Sequence, residues 1–152
     1  MKNFIYTIFF LVLAVPALSE ISFARLLHEN SFAKDRFFGG LEINLSLSQG
    51  VPYKISFVED PISLIIDFNM VSFDDIDPQK LNDSKNIKFI KFEELDSKWS
   101  RLSIQFDDFW NIENTEMRVD PSDSSATISI LLKSVSEDVL SLIHISEPTR
   151  PY

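Results

Sequence analysis

From Leu41 to Ser48 the chain reads LEINLSLS, an unbroken alternation that puts Leu41, Ile43, Leu45 and Leu47 on one side and Glu42, Asn44, Ser46 and Ser48 on the other. Successive side chains of an extended strand project to opposite faces, so this pattern fits a strand with one buried and one wet face. It does not fit a helix, whose apolar positions recur every three or four residues. Segments rich in β-branched and aromatic residues predict further strands at Tyr53–Val58, Ser63–Phe68, Ile87–Phe92, Arg101–Phe106, Thr115–Val119 and Thr127–Leu132. Pro52, Asp60-Pro61 and Asp120-Pro121 separate them, since proline has no N–H to give to a central ladder. One helical turn is expected at Pro78–Leu81, with Asp77 placed to accept from free N–H groups and Pro78 at the first helical position.

The strands repeat. LEINLS at Leu41–Ser46 echoes RLSIQF at Arg101–Phe106, and YKISFVEDPISLIIDF echoes MRVDPSDSSATISILL, so each half runs strand, strand, Pro-bearing turn, strand. The expected fold is therefore all-β: two packed β-sheets built from a duplicated three- to four-strand meander. Leu41, Ile43, Leu45, Ile55, Phe57, Leu64, Ile66, Phe68, Leu102, Ile104 and Phe106 are its expected core. With no cysteine in the chain, stability rests on that core. About 120 residues remain between the two ends discussed next, enough for one domain and too few for two.

At the start, Lys2 precedes an apolar run from Phe4 to Leu18 that ends among the small residues Ala14, Ala17 and Ser19. Residues 1–19 are read as a secretory signal peptide cut after Ala17 or Ser19, because the run falls short of the roughly 20 apolar residues that span a bilayer. Export and no stable membrane span after cleavage follow. At the other end, LSLIHISEPTRPY at Leu140–Tyr152 resembles the translated end of a transposon-based sequencing adapter. Residues 140–152 are accordingly read as a non-native tail, and residues 21–139 as the folded domain.

The formal charge of −9 and the acidic runs SFDDID, EELD and FDDF, with no basic stripe to offset them, exclude nucleic acid as a partner. Catalysis finds little to work with. A hydrolytic zinc site needs about three His or carboxylate ligands and an open position, yet the chain has two histidines, one of them His144 in the tail and the other the isolated His28. Nucleophilic catalysis by a serine or cysteine lacks a positioned imidazole or a thiol. Adjacent acids such as Glu93-Glu94 and Asp107-Asp108 point to opposite faces of a strand and form no acid–base pair. No catalytic and no metal-ligating residue is assigned.

Binding is the remaining role. Trp99 and Trp110 flank the RLSIQF strand, and Arg101, Ser103 and Gln105 share one of its faces while Leu102, Ile104 and Phe106 share the other. A sugar stacks on an indole, and arginine grips a carboxylate through two parallel hydrogen bonds, so Trp99, Arg101 and Trp110 are the candidate ligand-binding residues. The competing reading makes the tryptophans rim-of-core residues and pairs Arg101 across the sheet with Asp67.

VPYKISFVEDPISLIIDF at Val51–Phe68, WSRLSIQF at Trp99–Phe106 and EMRVDP at Glu116–Pro121 resemble the AMIN domain at the N-terminus of periplasmic N-acetylmuramoyl-L-alanine amidases, particularly the alphaproteobacterial members. The resemblance runs from about Ile21 to Val139. It implies an AMIN-like β-sandwich whose first strand is Ile21–Leu27, within a segment, Ile21–Phe38, that a short helix also fits. It further implies a periplasmic, non-catalytic domain that binds peptidoglycan, meets envelope division proteins and localises the enzyme for septal wall cleavage. Zinc would belong to a catalytic domain beyond Val139, with no cofactor in this part, and the chain alone would be an inactive hydrolase fragment. AMIN-like modules also precede the pore-forming domain of type IV pilus secretins, so an envelope-assembly adaptor is the alternative; WSRLSIQF and EMRVDP favour the amidase.

Overall fold

The computed structural model describes residues 22–135 apart from Asp75 and Ser97; the expected leader at 1–19, Ile21 and the expected tail at 140–152 lie outside the described residues. The alternating segments form strands β1 (Ala24–Asp35), β2 (Leu41–Leu47), β3 (Tyr53–Glu59), β4 (Ile62–Asn69), β5 (Val71–Ser72), β6 (Asn82–Asp83), β7 (Ile87–Glu94), β8 (Trp99–Phe106), β9 (Trp110–Val119) and β10 (Ala126–Ser134). One sheet has the order β5-β1-β2-β10-β9, with β6 also pairing β1, and the other has the order β3-β4-β8-β7. Among the described residues no helix is long and apolar enough to cross a membrane.

Alternation does what the pattern requires. Leu41, Ile43, Leu45 and Leu47 of β2 and Ala126, Ile128, Ile130 and Leu132 of β10 join Leu64, Ile66 and Phe68 of β4 and Leu102, Ile104 and Phe106 of β8 in one buried core between the sheets. Each large apolar side chain so buried contributes about 1.5–3 kcal/mol relative to exposure. Ile55 and Phe57 are only half-buried, because β3 is an edge strand and lacks a neighbour on one side.

The duplication is visible in the topology, with a twist that the sequence pattern does not carry. Replacing β1, β2, β3 and β4 by β7, β8, β9 and β10, and the reverse, converts one sheet order into the other. Each half therefore places its first two strands in one sheet and its last two in the other. The central seams, β2 on β10 and β4 on β8, both join strands from different halves. The halves are connected by a crossing that contains the expected turn of helix at Pro78–Leu81, a 3-10 turn in which the Asp77 carboxylate accepts from the Gln79 N–H at 3.0 Å.

The segment read as either strand or helix is strand β1, twelve residues long and interrupted by a wide bulge between Leu27 and Phe32. Ser31 closes the bulge: its hydroxyl donates to the Leu27 carbonyl at 2.6 Å and accepts from the Ser46 N–H at 2.9 Å. His28 is exposed on the bulge.

Candidate functional site

The outward side of the β3-β4-β8-β7 sheet carries the expected site residues of β8. Trp99, Arg101, Ser103 and Gln105 are half-exposed and alternate with the buried Ser100, Leu102, Ile104 and Phe106. Register places Arg101 opposite Asp67 on β4 and Glu93 on β7, and Asp67 opposite Lys54 on β3. A row of alternating charge, Lys54, Asp67, Arg101, Glu93, thus crosses all four strands, an arrangement in which every neighbour is attractive.

Within that row Arg101 donates from Nε to Asp67 Oδ1 at 2.7 Å and from Nη2 to Asp67 Oδ2 at 3.0 Å. Its pKa is raised, chiefly by the hydrogen bond to Asp67, against the opposing effect of burial and with help from the charges of Asp67 and Glu93. The pairing expected as the competing reading is therefore present, and it changes what Arg101 can offer. Its side-on edge is engaged by Asp67, leaving Nη1 and the second Nη2 hydrogen for a ligand. With its charge already balanced, the guanidinium suits neutral acceptors such as hydroxyl and amide oxygens better than a free carboxylate.

Trp99 sits one step along, opposite Asn69. The ammonium of Lys54 lies 5.0 Å from the indole centroid, a cation–π contact that holds the ring on the sheet surface. Trp99 is not among the residues packed on the core. Trp110 is placed differently: 7% exposed, it belongs to the core, tilted against Phe106 with ring centroids 5.8 Å apart. Its indole N–H is buried and has no hydrogen-bond partner among the described residues. The structure thus brings Trp99 and Arg101 together on one face and sets Trp110 inside.

At the far end of the same face lies a shallow hollow lined by Val58, Ile65, Phe89, Lys91, Arg101 and Gln105, among others. Phe89 reaches it through a bulge: Ile87 pairs with Phe106 and Phe89 with Gln105, so Lys88 is extra and Phe89 turns outward, 40% exposed. The signal was present in IKFIKF, where the apolar phase shifts by one between Phe89 and Ile90. Lys54 was not anticipated, because its value depends on Trp99, two strands away. Among the described residues no group of three or more His, Asp or Glu side chains is placed to share a metal ion.

Residues 36–132 match the family model described as the AMIN domain. No curated protein matches the chain.

Proposed function

The chain belongs to the AMIN domain family, and on that premise we propose that it is the non-catalytic wall-targeting domain of a periplasmic N-acetylmuramoyl-L-alanine amidase, holding peptidoglycan on the outward face of the β3-β4-β8-β7 sheet. AMIN domains as a family target periplasmic proteins to peptidoglycan. The observation that carries the placement is the joint exposure of Trp99 and Arg101 on one face, the ring held by Lys54 and the guanidinium by Asp67. A held indole offers a stacking surface for a sugar ring, and a guanidinium with spare donors beside it suits the hydroxyl and N-acetyl oxygens of the glycan. Both groups are fixed before a ligand arrives, which lowers the ordering cost of binding.

Charge works against long-range capture. The chain carries −9 and peptidoglycan carries carboxylates, so attraction comes from short contacts that salt screens little. The test is co-sedimentation of the chain with isolated sacculi across a range of salt. Weak binding that changes little with salt is expected, with Trp99→Ala and Arg101→Ala each lowering the bound fraction while circular dichroism stays unchanged. Terminal segments are common to wild type and variants, so they cancel in the comparison. A chain that stays wholly in the supernatant would refute wall binding and leave the secretin-type adaptor, whose partner is another envelope protein.

A further inference from the structure

We propose that the tip of the β1–β2 hairpin, Phe37-Phe38, is a finger that dips into the headgroup–acyl boundary of a zwitterionic phospholipid bilayer. Phe37 is 93% exposed and Phe38 95% exposed, whereas the other exposed large apolar residues described, such as Phe23 at 45% and Phe89 at 40%, are partly covered. Among the described residues the two rings make a ring contact only with each other, edge to face with centroids 4.9 Å apart. A loose loop would fold such rings back onto the protein; this turn is fixed. The Arg36 N–H donates to the Gly40 carbonyl at 3.0 Å and the Gly39 N–H to the Arg36 carbonyl at 3.2 Å. Arg36 Nη1 holds Glu113 Oε2 on β9 at 2.7 Å. Gly39 and Gly40 have φ of +84° and +98°, and a Cβ on Gly40 would lie 2.7 Å from the Leu132 carbonyl oxygen, so the tip is seated tightly on β10.

Shape and charge select the occupant. Two aromatic rings offer roughly 300–500 Å², well short of the roughly 800 Å² per partner of a stable protein interface. The flanking residues, charged or glycine, supply no apolar surround to extend it. A bilayer needs no matching surface and accepts a projecting apolar tip. The hollow beside the finger is lined by Arg36 and Lys133 against Glu113, so the surface next to the tip carries more positive than negative groups and offers donors to phosphate headgroups.

The experiment places a tryptophan in the full chain at the tip, Phe38→Trp, and another at the opposite end of the β9–β10 hairpin, Val119→Trp, where the native side chain is 53% exposed. Emission is recorded with and without phosphatidylcholine vesicles, subtracting the parent chain, and with lipids brominated along the acyl chain as quenchers. A blue shift and quenching of F38W alone, lost on adding Phe37→Ser, are expected. Strand β1 begins at the Val119 end, so tethering through the leader would move V119W first, whereas β10 ends beside the finger, and the Phe37→Ser arm separates the finger from the segment that follows β10. No shift at F38W, equal shifts at both positions, or an F38W shift that needs no vesicles and grows with protein concentration would each overturn the proposal, the last in favour of a protein contact.

Discussion

The Arg101–Asp67 pair decides whether Arg101 is a structural strut or an available binding group, and a double-mutant cycle separates the two. Two unit charges 4 Å apart attract by about 4 kcal/mol at an effective dielectric constant of 20, before any cost of dehydration. The side chains are 36% and 21% exposed, which places the pair nearer the surface than the interior. Exposed pairs couple by about 0.2–1 kcal/mol, whereas truncating one partner of a buried pair costs about 3–5 kcal/mol. The bidentate geometry argues for the upper end of the exposed range, so the expected coupling is about 1 kcal/mol. Arg101→Met leaves Asp67 facing Lys54, which softens the loss. Asp67→Asn leaves an arginine that water reaches. Urea unfolding of wild type, both single variants and the double variant measures the coupling, and each single change should move the melting temperature by about 4–8 °C. A coupling above about 3 kcal/mol would show that the pair is part of the fold's foundation, and loss of binding in Arg101→Ala would then report lost folding rather than a lost ligand contact. A coupling of zero would mean that Asp67 does not hold the guanidinium, removing the premise that the face is arranged in advance.

At the finger, Gly40→Ala should cost about 3 kcal/mol, from a left-handed backbone and a collision with the Leu132 carbonyl together, while Gly39→Ala, with nothing within 4 Å of a Cβ, should cost about 1 kcal/mol; equal losses in thermal unfolding would contradict the seating on β10. Asp35 accepts from the Ser84 hydroxyl at 2.5 Å and the Asn86 amide at 2.7 Å. Burial pushes its carboxyl up, but these bonds and the Lys85 N–H and charge outweigh it, so the folded pKa lies below the ordinary 3.8. Its stabilisation is then present above pH 3.8 and lost as pH falls through the lower folded value, so Asp35→Ala should reduce stability by about 1–2 kcal/mol at neutral pH and flatten the acid limb of a stability-against-pH curve. An acid limb unchanged in slope would show that other carboxylates set it.

Period-two alternation made the strands legible almost to the residue wherever it was unbroken: Tyr53–Val58 and Ser63–Phe68 were expected against Tyr53–Glu59 and Ile62–Asn69 found. It failed at bulges, for a physical reason. An extra residue reverses which face the following side chains occupy, and this hid β1 behind HENS and the start of β9 behind Glu113, opposite the irregularity at Leu131 and Leu132. The same effect hid Phe89. At the site, face membership was readable, so Arg101, Ser103 and Gln105 were grouped correctly. Depth at a strand end was not: Trp99 and Trp110 look alike in the chain, but Trp110 begins β9 over Phe106 while Trp99 ends a row against Lys54.

The exchange of strands between the halves has a consequence for how the chain must fold. Neither half alone closes a sheet; each would leave two hairpins with bare inner edges, and isolated hairpins are marginal in water. The hairpins pair neighbours in sequence and can form locally, but both seams join residues far apart, such as Leu47 with Ala126, so joining the hairpins into sheets waits on closure of long loops. The same interlock works in reverse once the protein is made. A protease that cuts the crossing between the halves severs no ladder in either seam, and the two fragments stay clasped together like linked hands.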